Sequence, residues 1–344
     1  MSAETVERIC IVMMSAVGDA VHVLPVIKAL KRHHPASRVT WVLQPAPASL
    51  VRGHPDVDEI ILFDRTKGVA AFLEVGRALR SRRFDLLIDL QVYLKAGVVT
   101  AMSGAKRRLG FDRARARDAN WLFTTERIAA HPVQHVQDQY FEFLHTLGIA
   151  SEPVEWNLGP WPHERAWQKN FVEKLDRPIA SIVVATSKPE KDWIPQRWAA
   201  VTDILWSQYG LQAVLVGGTS ERETSAANEI MALSKSSPVS ALGSGLRNLV
   251  GILDASEVVL SPDTGPLHMT VALDRPVISL IGYSDPRRTG PYRKFHDLIV
   301  DAFHDSGETG AVTMKTKHDR MSRITVDDVA DRLKIWSERY RPKS

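Results

Sequence analysis

The chain has 344 residues, 44% of them hydrophobic and 24% charged, which is enough apolar material to fold two globular domains. The formal net charge of +4 lies below that of a dedicated nucleic-acid-binding protein. The single cysteine, Cys10, excludes an intramolecular disulfide and a cysteine-based zinc cluster, and it favours the cytoplasm. No leader pattern and no apolar stretch of about 20 residues is visible. The sequence therefore predicts neither secretion nor membrane spanning.

Short apolar runs alternate with helical spacings along the first half of the chain. The predicted elements, in order, are a strand over 8–14, a helix that includes Leu24, Ile27 and Leu30, strands over 39–43 and 60–63, a helix over 69–80, a strand over 85–89 and a helix over 94–102. Strands that alternate with helices are typical of parallel βαβ units. The first half is thus predicted to form one doubly wound domain.

The same alternation returns after residues 156–175, where prolines and tryptophans precede a charged helical stretch and indicate a linker. The second half is predicted to contain strands over 179–185, 212–216, 257–260 and 277–280 and helices over 197–208, 224–233 and 265–273, followed by a final helix over 326–339. Two α/β domains result, over 1–155 and 176–325, and the final segment, 326–344, is assigned to the first. Ligands of open parallel sheets bind where the strands end, so the strand-to-helix loops should carry the chemistry.

The loop after the first predicted strand contains Gly18 and Asp19. It lacks the G-x-G-x-x-G spacing of a dinucleotide site, which weighs against a nicotinamide oxidoreductase. Asp19 stands at the entry to a helix, where the helix dipole stabilises an ionised carboxylate that can accept a proton from an attacking hydroxyl. A purely structural N-cap role for Asp19 is the alternative.

Three loops of the second half offer groups that suit a diphosphate. For each loop a purely structural role is the alternative to diphosphate binding, namely a solvated turn, a helix cap or a structural histidine. The residues singled out are Thr186, Ser187 and Lys191 after the strand over 179–185, Glu221 after the strand over 212–216, and Asp263, Thr264, Gly265 and His268 after the strand over 257–260. The last group opens a helix whose free amides and positive dipole end favour an anion.

A basic run, KRRLGFDRARAR at 106–117, holds six basic residues and one acidic residue. Such a run beside a cleft attracts a polyanionic acceptor, whereas a solvated basic face is the simpler interpretation. Aromatic residues within the run are too few to favour RNA. His131 and His135 do not form a zinc site because Pro132 disfavours a helix through them. A P-loop and a G-x-S-x-G elbow are also absent from the sequence.

Four segments, VGDAVHVLP, TSKPEKDW, GGTSE and SPDTGPLH, occur in an order and spacing that resemble the ADP-heptose:lipopolysaccharide heptosyltransferases of glycosyltransferase family 9. The resemblance runs from about residue 8 to residue 339, and DLQVYLKAGVV is similar to the heptosyltransferase I branch. It implies a GT-B fold, with two Rossmann-like doubly wound parallel-sheet domains facing a central cleft. The amino-terminal domain would bind the acceptor and the carboxyl-terminal domain the nucleotide sugar.

The resemblance also implies roles for single residues. Asp19 and Lys191 become catalytic candidates. Donor-binding candidates are Thr186, Ser187, Glu221, Asp263, Thr264, Gly265 and His268, and acceptor-binding candidates are Gly18, Lys95, Arg113 and Arg117. The implied reaction is an inverting transfer of heptose from ADP-heptose to the Kdo region of lipid A-linked inner core, without a metal or other cofactor.

The expected partners are therefore ADP-heptose and a lipid A-linked Kdo acceptor, with peripheral contact to the inner membrane and no nucleic acid. The expected location is the cytoplasm, at the cytoplasmic face of that membrane. Alternatives are a family 9 enzyme with a different acceptor, such as the second inner-core heptose, a protein or another glycan, or with a different nucleotide sugar. A nucleotide-sugar sensor that does not need Asp19 is a further alternative.

Overall fold

The computed structural model describes residues 6–341, and the chain folds into two compact units. Unit 1 comprises the chain to Pro132 together with Val136–Asn157, and unit 2 comprises Val133–His135 and the chain from Leu158 onward. The first five and last three residues of the predicted domain bounds lie outside the described residues.

Unit 1 contains a parallel sheet with helices between its strands. Its strands are β1 (Arg8–Val12), β2 (Arg38–Leu43), β3 (Glu59–Leu62), β4 (Leu86–Asp89), β5 (Arg107–Gly110) and β6 (Glu126–Arg127), and its helices are α1 (Val17–His33), α2 (Pro45–Val51), α3 (Val69–Arg80), α4 (Leu94–Met102) and α5 (Val136–Thr146). The strand order is β3-β2-β1-β4-β5-β6, so the order reverses between β1 and β4. A crevice at such a reversal is where doubly wound sheets bind ligands.

Unit 2 repeats this plan. Its helices and strands, in chain order, are α6 (Arg165–Val172), β7 (Ile179–Val183), α7 (Pro195–Tyr209), β8 (Gln212–Val216), α8 (Glu221–Leu233), β9 (Val239–Ser240), α9 (Leu246–Ala255), β10 (Val258–Pro262), α10 (Gly265–Ala272), β11 (Val277–Ile281), α11 (Pro286–Thr289), β12 (Ile299–Asp301) and α12 (Val326–Arg339). The strand order is β12-β11-β10-β7-β8-β9, and the reversal lies between β7 and β10.

Both sheets are built around central strands that are mostly apolar and almost entirely buried. All five residues of β7, β8, β10 and β11 are buried, as are four of the five in β1. Helices therefore cover both faces, as parallel sheets require. The prediction of two doubly wound parallel sheets is confirmed.

Two predicted boundaries need correction. Helix α12, which the sequence pattern assigned to the first domain, packs on α7, β11 and β12 of unit 2. The Trp336 indole is fully buried there and donates a 3.2 Å hydrogen bond to the Glu257 carbonyl. The predicted linker 156–175 likewise contains α6, which packs on α9 in unit 2. Helix α12 buries Val329, Leu333 and Trp336 in unit 2, whereas α6 has no buried residue and is held against α9.

Candidate active site

Asp19 lies in the first turn of α1, at the third helical position, and is partly exposed. Its Oδ2 accepts a 2.9 Å hydrogen bond from the Ala16 amide, which precedes the helix. Its Oδ1 accepts a 3.0 Å hydrogen bond from the Tyr140 hydroxyl on α5. The side chain thus caps its own helix and presents a positioned carboxylate at the positive end of the helix dipole.

Gln91 fixes the loop that leads to Asp19. Its Oε1 accepts from the Met14 amide at 3.1 Å, and its Nε2 donates to the Ser15 carbonyl at 3.0 Å. Gln91 follows β4, which pairs with β1 in parallel register. At the strand-order reversal of unit 1, the Gln91 side chain therefore joins the loop after β4 to the backbone of the loop after β1.

Asp89, the last residue of β4, is fully buried beneath this loop. Its carboxylate accepts hydrogen bonds from the Gln91 amide at 3.1 Å, the Thr100 hydroxyl at 3.0 Å and the Asn120 side-chain amide at 3.0 Å. Burial raises the pKa of Asp89 to about 7, against the opposing effect of these donors. Asp89 ties β4, α4 and the 3₁₀ turn at Asn120–Phe123 together.

Lys191 and Asp263 meet at the strand-order reversal of unit 2. They belong to the loops after β7 and β10, which are adjacent parallel strands. Lys191 Nζ lies 2.7 Å from Asp263 Oδ2 and 3.2 Å from the Asp263 carbonyl oxygen. The Ser284 hydroxyl and, at 3.2 Å, the Thr289 hydroxyl also donate to Asp263 Oδ2. A buried carboxylate therefore holds an ammonium group at the carboxyl edge of the sheet.

Helix α10 begins immediately after Asp263. Thr264 is its N-cap residue, with an extended backbone and no side-chain bond to the helix amides, and Gly265 is its first helical residue. Pro266 has no N–H and the Leu267 amide donates to the Thr264 carbonyl at 3.1 Å, so it is the Gly265 amide and the positive end of the helix dipole that favour an anion here. His268 lies one turn further on, 9% exposed, with Nε2 4.0 Å from Asp263 Oδ1. The structure thus brings Lys191, Asp263, Thr264, Gly265 and His268 together in one cluster.

Thr186 and Ser187 differ in their surroundings. The buried Thr186 hydroxyl donates to the Lys188 carbonyl at 2.7 Å and accepts from the Lys188 amide at 3.1 Å, while its own amide donates to Asp192 Oδ1 at 2.7 Å. Burial raises the pKa of Asp192, although Thr186 and Arg222 oppose this. Thr186 therefore shapes the loop, whereas the exposed Ser187 hydroxyl faces solvent.

Glu221 is the exposed first residue of α8. Capping of this helix was the alternative to ligand binding for Glu221. Glu223 performs it instead, because its carboxylate accepts from the Gly218 amide at 2.6 Å and from the Ser220 amide at 3.1 Å. Burial raises the pKa of Glu223, but the bonds from Ser220 and Gly218 outweigh it and the pKa lies below its usual value. Since Glu223 caps the helix, Glu221 is available to a ligand.

The basic run 106–117 is only partly a free positive surface. Arg107 binds Glu126 through two hydrogen bonds of 2.8 and 3.0 Å, and Arg115 binds Asp112 and Glu142. The acceptor candidates Arg113, Arg117 and Lys95 are exposed in unit 1, and Gly18 is the second residue of α1. The charge of the run is thus divided between internal ion pairs and exposed arginines.

Sequence reasoning missed the residues that position the candidates. Gln91 could have been found, because it follows a buried strand next to β1. Tyr140 is 121 residues from Asp19 and carried no local signal. Tyr283 was also missed, and its ring lies 5.6 Å from Lys191 Nζ and 5.1 Å from Lys188 Nζ.

Two features are absent from residues 6–341. No three side chains of His, Cys, Asp or Glu are grouped so that they could hold a metal ion. None of the helices in this part of the chain has the length and apolar character to span a bilayer.

Two Rossmann-like units in one chain, with these loops at the carboxyl edges of their sheets, match the GT-B fold of glycosyltransferases. A solved glycosyltransferase family 9 structure from Veillonella parvula has a TM-score of 0.82 at 20% identity and covers 97% of this chain and 98% of its own. E. coli heptosyltransferase WaaC with ADP has a TM-score of 0.75 at 22% identity, covering 95% and 99%.

Sequence comparisons identify the family. The model of glycosyltransferase family 9 (heptosyltransferase) matches residues 72–314, and the chain belongs to this family. It is 28% identical to lipopolysaccharide core heptosyltransferase OpsX of Haemophilus influenzae, over 89% of this chain and 87% of that protein. It is 26% identical to lipopolysaccharide heptosyltransferase 1 of Escherichia coli O18:K1:H7, over 83% and 89%. The predicted family and enzyme class are confirmed.

Proposed function

We propose that this enzyme transfers heptose from ADP-heptose to the Kdo region of the lipopolysaccharide inner core, with inversion and without a metal ion. The observation that carries the proposal is the Lys191 ammonium held at the start of α10, where a diphosphate would meet a cation and the positive end of a helix dipole together. The relatives named for lipopolysaccharide core heptosyl transfer and the neighbouring structure with ADP support this choice of donor and acceptor.

Asp19 is the proposed general base. In an inverting displacement the acceptor hydroxyl attacks the anomeric carbon opposite the leaving diphosphate, and it must lose a proton as it attacks. The carboxylate of Asp19 is partly exposed and is oriented by Ala16 and Tyr140, so its position does not depend on the substrate. Such preorganisation lowers the cost of reaching the transition state.

Lys191 is the proposed stabiliser of the departing ADP. Its Nζ carries three N–H groups, and contacts to Asp263 engage one side of the ammonium. A cation and the positive end of a helix dipole at the leaving group provide the electrostatic stabilisation that other enzymes obtain from a divalent metal. Asp263 is assigned to hold Lys191, and Thr264, Gly265 and His268 to bind the phosphates.

The remaining donor contacts are assigned to loops after β7 and β8. Ser187 offers an exposed hydroxyl to the diphosphate, Thr186 maintains the loop that presents it, and Glu221 accepts from the ribose hydroxyls. On unit 1, Gly18, Lys95, Arg113 and Arg117 are assigned to the anionic acceptor. Since that acceptor is anchored in a lipid, we place the enzyme in the cytoplasm, at the inner face of the inner membrane.

The decisive experiment measures ADP release from ADP-heptose by the purified enzyme in EDTA. Three reactions are compared: no acceptor, Kdo-bearing lipid A, and the same acceptor already carrying the first heptose. Of the three reactions, we expect ADP release only in the one that contains Kdo-bearing lipid A without the first heptose. Release that needs added divalent metal would contradict metal independence, and release only with the heptosylated acceptor would assign a later transfer. Retention of the donor's anomeric configuration in the product would contradict inversion.

A further inference from the structure

The loop after β7 carries a second lysine, Lys188, three residues before Lys191. Lys188 is the N-cap residue of a 3₁₀ turn at Pro189–Lys191, and the Lys191 amide donates a 3.0 Å hydrogen bond to the Lys188 carbonyl. Side chains three residues apart lie over one another in a 3₁₀ turn. The turn therefore favours the same side of the loop for both lysine side chains.

The Tyr283 ring lies beside both ammonium groups. Its centre is 5.1 Å from Lys188 Nζ and 5.6 Å from Lys191 Nζ. Lys188 Nζ also donates a 3.4 Å hydrogen bond to the Tyr283 hydroxyl. The face of an aromatic ring attracts cations, which offsets part of the repulsion between two like charges held near it. Tyr283 thus gathers the two lysines at the carboxyl edge of the sheet in unit 2.

Tyr283 is itself held in place by its neighbours. It follows β11 and is buried, and its carbonyl accepts a 2.9 Å hydrogen bond from the Lys317 amide. Its ring meets the His318 ring edge-on, with 5.5 Å between the ring centres. The next residue, Ser284, donates its hydroxyl to Asp263. The loop after β11 is therefore a fixed support for the groups that contact both lysines.

The two lysines differ in their pairing with carboxylates. Lys191 Nζ lies 2.7 Å from the Asp263 carboxylate, so that pair is formally neutral. The Lys188 side chain is exposed, and in the described part of the chain no carboxylate forms an ion pair with it, not even Glu190 of the same turn. Lys188 is therefore the ammonium of the two that a phosphate can approach without competing with a carboxylate.

We propose that Lys188, positioned by the Tyr283 hydroxyl, binds the second phosphate of a nucleoside diphosphate. One phosphate at the start of α10 engages Lys191 and the positive end of the helix dipole, and the phosphate bonded to it engages the ammonium on the other side of the shared ring. Lys188 thereby distinguishes a diphosphate from a monophosphate. The inference rests on the proposed function, because it takes the ligand of this cluster to be the nucleotide of the donor.

The test compares ADP with AMP, which share base and ribose and differ by one phosphate. Calorimetric titration gives both dissociation constants for the full-length enzyme and for Lys188→Met. We expect the substitution to weaken ADP binding about tenfold, as for the loss of one hydrogen bond to a charged group, and AMP binding less than about twofold. Added salt should lower the ADP affinity less steeply in the variant than in the original enzyme. Unchanged ADP affinity, or equal weakening of ADP and AMP, would overturn the inference.

Two further variants and a matched control locate the effect. Lys188→Arg keeps the charge and should retain ADP affinity within about threefold. Tyr283→Phe keeps the ring but removes the hydroxyl that holds Lys188, so it should weaken ADP binding about threefold and leave AMP binding unchanged. The control, Lys235→Met, removes the same charge from an exposed lysine beyond the end of α8 and should bind ADP as the original enzyme does. Equal weakening by Lys235→Met, or by Lys188→Arg and Lys188→Met alike, would contradict the assignment.

The same titrations separate this inference from the proposed function. An enzyme that binds UDP or GDP instead of ADP, and loses that affinity in Lys188→Met, would refute the proposed donor and support the inference. An enzyme that binds ADP equally well with and without Lys188, and releases it from ADP-heptose, would overturn the inference and leave the proposed donor in place. Failure to bind any of the three nucleotides would overturn both.

Discussion

Replacing Asp19 with asparagine removes the proposed base while keeping its two hydrogen bonds. The asparagine Oδ1 can accept from the Ala16 amide, and its Nδ2 can donate to the Tyr140 hydroxyl, which is able to accept as well as donate. Stability should therefore change by less than about 1 kcal/mol. Loss of a general base lowers the rate about 10² to 10⁴-fold, which corresponds to roughly 3 to 5 kcal/mol of the barrier.

Three measurements separate catalysis from structure. The kcat/KM is obtained from acceptor-dependent ADP release, ADP affinity from calorimetric titration, and stability from thermal unfolding. ADP affinity should be unchanged in Asp19→Asn because the donor candidates belong to unit 2. Asp19→Ala is a poorer probe, since it removes the cap and leaves the Tyr140 hydroxyl, on a side chain only 4% exposed, without this acceptor.

Tyr140→Phe serves as the companion variant. It keeps the carboxylate and removes one donor to it, so we expect a loss in kcat/KM of less than about tenfold. The assignment of Asp19 as base is wrong if Asp19→Asn retains more than a tenth of the original kcat/KM. It is also wrong if ADP affinity falls in parallel with activity, because that result indicates a structural role.

Three further predictions concern groups elsewhere in the two units. Lys191→Met should lower kcat by about 10² or more in the ADP-release assay, because the leaving group loses its cation; near-normal kcat would exclude that role. Glu221→Gln should weaken ADP binding about tenfold at unchanged stability, whereas Glu223→Gln should lower the unfolding free energy by about 1 kcal/mol. Calorimetric titration measures the ADP affinity and urea unfolding measures the stability. The reverse pattern would refute the assignment of Glu221 to the ligand and of Glu223 to the helix cap. Asp89 has a folded-state pKa raised to about 7 by burial, above its unfolded value, so its contribution to stability is fully present below about pH 4 and is lost as the pH rises through 7. The unfolding free energy of Asp89→Asn, relative to that of the original chain, should therefore rise by about 1.4 kcal/mol per pH unit between pH 5 and pH 7, as measured by urea unfolding. A difference that stays constant over this range would contradict a raised pKa of Asp89.

The strands and helices with a strong apolar period were predictable from sequence. Helices α3, α4 and α12 have the predicted bounds, as does β8. Each buries an apolar stripe or strand whose spacing is visible in a single sequence. The match is expected where local pattern and tertiary packing agree.

Strand β5 shows why other elements escaped prediction. Its sequence, RRLG, lies inside the basic run, whose composition predicts a charged surface and not a strand. The structure pairs Leu109 with Glu126 on β6, and Arg107 reaches the same glutamate as a cross-strand ion pair. The charge pattern of β5 depends on a partner 19 residues away, which a local window does not contain. The same limit hid Tyr140 from the interpretation of Asp19.

The ion pair between Lys191 and Asp263 has a consequence for product release. A diphosphate that binds Lys191 as proposed would meet an ammonium that already has Asp263 as its counterion. The free energy of binding would therefore be the difference between the lysine–diphosphate and the lysine–aspartate interactions, which is smaller than the attraction of a free cation. The Ser284 and Thr289 hydroxyls hold Asp263 in place beside the ammonium. If Lys191 binds the diphosphate as proposed, Asp263 competes with it for the ammonium, and the proposed role therefore predicts a shorter-lived ADP complex than a free lysine would give.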